Sequence, residues 1–125
     1  MIQVKDVVKS FDGNVVLNHI SANFEDGKVN MIIGQSGSGK TVLMKSMIGL
    51  HQINGGEIIF DTRNGQQNLA AMSEKEVRML HREVGMLFQG AALFDSMTVQ
   101  ENVMYPLEMF SDMSRQEMVE RARFC

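Results

Sequence analysis

The sequence predicts an α/β fold, and three observations carry that expectation. A glycine-rich stretch, Gly34 to Thr41, joins a short apolar run to a helical apolar pattern. Strand and helix signals alternate after an initial segment rich in strand signals. Three capping-box patterns then mark helix starts in the second half of the chain.

The 125 residues are enough to bury a real core, and the apolar (44%) and charged (22%) fractions are ordinary for a globular protein. The net charge of −3 is spread over interspersed acids and bases with no basic block, so nucleic acid is not expected as a partner. Cys125 is the single cysteine, which excludes an internal disulfide framework or a cysteine metal cluster and suits a reducing compartment. The N-terminus, Met1-Ile-Gln-Val-Lys-Asp, is charged at once and lacks a signal peptide's apolar region. No later run approaches the roughly 18 apolar residues of a membrane helix, so a soluble chain is expected. Twelve methionines read as flexible core filling.

In chain order, Ile2 to Val8 and Val15 to Phe24 read as strands split by the turn Asp12-Gly13-Asn14. After Asp26-Gly27, the apolar run Val29 to Ile33 predicts a strand buried on both faces. A helix is expected from Gly39 to about Leu50, its apolar stripe being Leu43, Met44, Met47 and Ile48. Asn54-Gly55-Gly56 predicts a turn, Glu57 to Asp61 a strand, and polar Thr62 to Asn68 a surface loop. Capping boxes at Ser73/Glu76, Thr98/Glu101 and Ser114/Glu117 predict three helices. Val84 to Phe88 is another short buried-strand candidate, and Gln116 to Cys125 reads as helix without a stop signal.

Gly34-Gln35-Ser36-Gly37-Ser38-Gly39-Lys40-Thr41 is the stretch that carries chemistry, a P-loop pattern. Gly34, Gly37 and Gly39 are expected to take positive φ and let backbone approach phosphate closely. Successive N–H groups then form an anion nest, and the following helix adds its positive end. Lys40 would reach the β- and γ-phosphates, and the Thr41 hydroxyl would ligate Mg²⁺. With glycine near 7% of residues, a chance match in a chain this long is on the order of one in two hundred.

Beyond this loop, Val4-Lys-Asp-Val-Val-Lys-Ser-Phe11-Asp-Gly13, Gly55-Gly-Glu-Ile-Ile-Phe-Asp61 and Val84-Gly-Met-Leu-Phe-Gln89 resemble the nucleotide-binding domain of ABC transporters. The resemblance runs over essentially the whole chain. It implies a P-loop NTPase core, an N-terminal antiparallel β-subdomain and the start of a helical subdomain. By residue number these are 1–28 for β-subdomain strands, 29–89 for the P-loop core and 90–125 for the helical start. It implies ATP and Mg²⁺ as cofactors, Phe11 as the adenine-stacking ring, and Gln89 as a Mg²⁺ and attacking-water contact. It also implies two partners: a second ATP-binding subunit, as a homodimer, and a membrane permease.

Met86 to Leu107 is similar in particular to the Mla/Mce-associated ATPases, which energise phospholipid transport in diderm bacteria. That resemblance implies a cytoplasmic protein, peripheral on the inner face of the cell membrane. It makes Ala91, Ala92, Leu93 and Phe94 apolar contacts for the permease's coupling helix.

The family's signature sequence, its Walker B strand ending in Asp-Glu and its switch histidine are not found in residues 1–125. His19, His51 and His81 precede the glutamine and read as packing or surface residues. The expectation is therefore an incomplete domain, an N-terminal portion that does not turn over ATP alone. An edge lacking the Walker B strand would also favour self-association. Another P-loop enzyme, such as a small GTPase, fits poorly, since strands precede the loop and no Asn-Lys-x-Asp occurs. A non-catalytic nucleotide- or partner-binding module is the alternative if the gene ends at Cys125.

Overall fold

The computed structural model describes residues 1–62, 65–90 and 92–125. They form two compact units, 1–85 and 86–125.

The first unit is built on a sheet of four antiparallel strands in the order β2-β1-β3-β4. Its strands are β1 (Ile2–Phe11), β2 (Asn14–Phe24), β3 (Gly55–Thr62) and β4 (Gly65–Asn68). The two N-terminal strands are thus the expected hairpin, running up to the Asp12-Gly13 turn. Val4 pairs with Ala22 on one side and Ile58 on the other, and Val4, Ile58 and Phe60 are buried.

Val4 and Val7 are both buried although an odd spacing should put them on opposite faces. A β-bulge resolves this. The register shifts between Val4 and Val7, where Asp6 takes φ 52°, and His19 on β2 takes φ 51°. The Asp6 carboxylate meets His19 Nδ1 at 2.8 Å. Gly56, at φ +84°, lets β3 approach the bulge, since a Cβ there would stand 2.4 Å from the Asp6 carbonyl oxygen.

Against the sheet lies α1 (Lys40–Met47), whose Leu43 and Met47 join Val4, Val7, Leu17 and Ile58 in the core. The helix is shorter than the periodicity implies. Gly49 takes φ +77° and donates to the Ser46 carbonyl (3.0 Å), while Leu50 N–H donates to the Lys45 carbonyl (2.9 Å). This Schellman closure ends the helix before Leu50. Met44 is 46% exposed, and Ser46 takes the buried place expected of the stripe.

Three other expectations are corrected. Val29 to Ile33 is not a strand; Val29, Met31 and Ile33 are 95%, 76% and 84% exposed. A strand buried on both faces is stabilised by neighbours on each side, and the sheet's described ladders run only among β1 to β4. Val84 to Phe88 likewise forms no strand: Val84 caps α2 (Glu74–Glu83), and Leu87 is exposed. Conversely, part of the polar Thr62 to Asn68 stretch is strand, because β4 pairs with β3 from Thr62↔Gly65 to Ile59↔Asn68. Backbone pairing recruits these polar residues where side-chain pattern gives no signal.

The second unit holds α3 (Val99–Phe110) and α4 (Arg115–Phe124), with Met104 buried. Pro106 lies inside α3, where it cannot donate to the Asn102 carbonyl. All three expected capping boxes form, at Ser73/Glu76, Thr98/Glu101 and Ser114/Glu117. In each the cap's backbone N–H donates to the glutamate at 2.7 Å. Hydrogen bonds from the hydroxyl and the backbone of the cap hold Glu76 and Glu117 below the usual glutamate range. For Glu101 the backbone bond from Thr98 contributes most, followed by the Thr98 hydroxyl.

Candidate phosphate-binding site

The loop Gly34–Thr41 follows the run 29–33, exposed except at half-buried Ile32, and opens α1. Gly37 and Gly39 take φ +80° and +89°, a region that costs a side-chain-bearing residue strain. Gly34 does not share that conformation, contrary to expectation. Its reason is space: a Cβ would stand 2.7 Å from Ser38 Oγ. Ser38 N–H donates to the Gln35 carbonyl (3.2 Å), which folds the loop back on itself.

Gly39 caps α1 without a side-chain hydrogen bond, and the first turn carries no acidic residue. The helix's positive end is therefore neither satisfied by a cap side chain nor neutralised by a carboxylate, the condition that suits an anion. Lys40 folds over the loop, its Nζ donating to the carbonyls of Gly34 (2.8 Å) and Gln35 (2.6 Å). Gly34, Gln35, Ser36, Gly37 and Ser38 are exposed, as is Thr41 in the first turn of α1. Loop and helix start thus present backbone N–H groups, one ammonium and three hydroxyls, those of Ser36, Ser38 and Thr41, to solvent.

Strand β2 buttresses this loop. A Cβ on Gly39 would stand 3.1 Å from Leu17 Cδ2 and from the Val16 carbonyl oxygen. The same hairpin presents Phe11, opposite Asn14 and 38% exposed. Its ring meets the His51 imidazole edge-on, at 5.4 Å and 78° between planes. The Lys9 ammonium lies 4.7 Å from the ring centroid. Sequence reasoning missed Lys9 and His51 as neighbours of Phe11. For Lys9 a signal existed, because residues two apart on a strand share a face; for His51 there was none.

Gln89 belongs to the second unit, exposed at the turn Gln89–Gly90. Of the expected coupling contacts, Ala91 lies outside the described residues. Leu93 is 63% exposed, while Phe94 packs on Tyr105, with centroids 4.8 Å apart. Among the described residues no group of three His, Cys, Asp or Glu could hold a metal ion. A cation here would rest on the Thr41 hydroxyl and on phosphate oxygens. That suits Mg²⁺, which keeps several waters and takes few protein ligands beside a polyphosphate.

A glycine loop that opens a helix, with a lysine folded over it, is the arrangement of the P-loop class, a geometry suited to an anion. More narrowly, residues 17–124 match the ABC transporter family, and the chain belongs to it. It is 36% identical over 134 residues to the phosphonates import ATP-binding protein PhnC of Fusobacterium nucleatum, covering all of this chain and 52% of that protein. It is 34% identical over 122 residues to the methionine import ATP-binding protein MetN of Rhizobium johnstonii, covering 98% of this chain and 32% of that one. Similarity extends to the protein TRIGALACTOSYLDIACYLGLYCEROL 3, chloroplastic, of Arabidopsis thaliana, at 36% over 120 residues, 96% of this chain and 33% of that protein. The chain therefore spans about half the length, or less, of these curated relatives. Among solved structures, the ATP-binding cassette MJ0796 as a post-hydrolysis dimer bound to ADP and Pi superposes with TM-score 0.86 at 27% identity, covering 100% of this chain and 55% of that one. The α/β cassette fold expected from the sequence, as a partial chain, is thus the fold found.

Proposed function

We propose that the chain is the N-terminal part of the ATP-binding subunit of an ABC transporter. The observation that carries this reading is the Lys40 ammonium held on two carbonyls of an exposed glycine loop at a helix start. When polyphosphate enters, those carbonyl bonds exchange for stronger charge-assisted ones, and the loop N–H groups close on the remaining oxygens. Thr41 offers its hydroxyl to Mg²⁺, which when bound neutralises charge on the β- and γ-phosphates. Phe11 offers a face for the base; the role of metal and water contact for Gln89 is what the family resemblance implies. Turnover needs a carboxylate beside the attacking water and charge supplied by a second subunit; residues 1–125 hold the ligand without splitting it.

The test is calorimetric titration of the chain with Mg-ATP, beside an assay of phosphate release. Binding that disappears in Lys40→Ala, with no release above background, is expected. Steady turnover by residues 1–125, lost in Lys40→Ala, would overturn the incomplete-site reading.

The assembled transporter would pair two such subunits and dock a permease's coupling helix near Ala92, Leu93 and Phe94, at the cytoplasmic face of the cell membrane. The MJ0796 dimer supports pairing. Among the described residues no helix is long and apolar enough to cross a membrane.

For cargo, the Met86–Leu107 resemblance favours phospholipid, and the plant relative carries a glycolipid's name. The names of the bacterial relatives favour import of small polar solutes instead. Stimulation of the assembled transporter's ATPase by phospholipid, and not by methionine or a phosphonate, would decide for lipid; the reverse would replace it.

A further inference from the structure

We propose that Lys9 is a positioning residue for the nucleobase, acting through the ring of Phe11. This rests on the reading of Phe11 as the base platform. Lys9 and Phe11 stand two apart on β1, and the Lys9 ammonium lies 4.7 Å from the ring centroid. Lys9 pairs across the hairpin with Leu17, whose Cδ2 would be 3.1 Å from a Cβ on Gly39. A chain of contacts thus runs from the phosphate loop through Leu17 to Lys9 and Phe11.

The ring is held on two sides. The ammonium occupies one face, and the His51 imidazole meets the ring edge-on at 5.4 Å. Phe11 nonetheless remains 38% exposed, which leaves ring surface for a partner. A cation on one face draws the ring's π-density toward itself, so the opposite face becomes less negative. Face-to-face stacking of two electron-rich rings is opposed by their quadrupoles, and that opposition falls when one ring is so polarised. Lys9 therefore orients the platform and strengthens its hold on an electron-rich purine, without touching phosphate.

The experiment measures dissociation constants of ATP and of inorganic tripolyphosphate for the full chain by calorimetry. Variants are Phe11→Leu, Lys9→Met, Lys9→Arg and the double Phe11→Leu/Lys9→Met. Methionine keeps the apolar stem of Lys9 and removes the charge, and far-UV circular dichroism confirms the fold. Phe11→Leu is expected to weaken ATP about tenfold and leave tripolyphosphate unchanged, as loss of one base stack would. Lys9→Met should weaken ATP about threefold, again with tripolyphosphate unchanged. Lys9→Arg should retain wild-type affinity, and Lys9→Met should add nothing in the Phe11→Leu background. An equal loss for tripolyphosphate would make Lys9 a phosphate contact and overturn the proposal. So would a Lys9→Met effect that persists without the ring. If Phe11→Leu leaves ATP affinity intact, the platform reading itself falls and takes this inference with it.

Discussion

The side chain of Asn102 brackets the backbone of Phe94: its Oδ1 accepts from Phe94 N–H at 2.8 Å and its Nδ2 donates to the Phe94 carbonyl at 3.1 Å. The same amide nitrogen lies within reach of the Met97 and Thr98 carbonyls, at 3.2 and 3.0 Å. One residue of α3 thus fixes the loop that presents Leu93 and Phe94. Asn102→Ala is expected to cost about 1–2 kcal/mol, since several backbone groups lose their partner together. Chemical denaturation read by circular dichroism measures the loss, and an unchanged midpoint would deny the bracket its role.

Gly56→Ala should be among the most damaging single changes in the first unit. The added Cβ would meet backbone, not a movable side-chain tip, at 2.4 Å from the Asp6 carbonyl oxygen and at φ +84°. A loss of about 3 kcal/mol is expected from strain and displaced strand pairing. Gly65→Ala is the control: its φ is +97°, but nothing lies within 4 Å of the added carbon, so it should cost visibly less.

Acid should loosen the helix starts. Folding holds Glu76, Glu101 and Glu117 below the usual carboxyl range through bonds from Ser73, Thr98 and Ser114. A depressed folded value means the contribution is complete above the unfolded glutamate value, about 4.3, and is lost as pH falls through the folded values. Helix signal should decline over that acidic window, and the triple Glu→Gln variant should flatten the decline. A decline of equal steepness in the variant would assign the acid sensitivity elsewhere.

Exposed Val29, Met31 and Ile33 set an expectation for solution behaviour. An apolar run of this kind invites pairing between chains. Light scattering of the chain should show association that rises with concentration and falls in Met31→Lys. A monodisperse monomer at all concentrations would refute it.

The features legible before any tertiary contact forms are local. The three capping boxes were legible because a hydroxyl and a glutamate three residues apart satisfy each other's backbone wherever the helix sits. The phosphate loop was legible because its glycines, lysine and threonine act within eight consecutive residues. The first hairpin was legible from alternation and one turn. The remaining features depend on contacts between distant parts of the chain. Val29 to Ile33 has a strand's composition, yet a strand exists only where a neighbour completes its ladder, and the sheet instead recruited polar Gly65 to Asn68 beside β3. The bulge at Asp6 put Val4 and Val7 on one face against their spacing, and it depends on a glycine fifty residues away in the chain, Gly56. Phe11 was readable as an aromatic at a strand end. That an ammonium and an imidazole hold its ring became visible only once the hairpin and the end of α1 had come together.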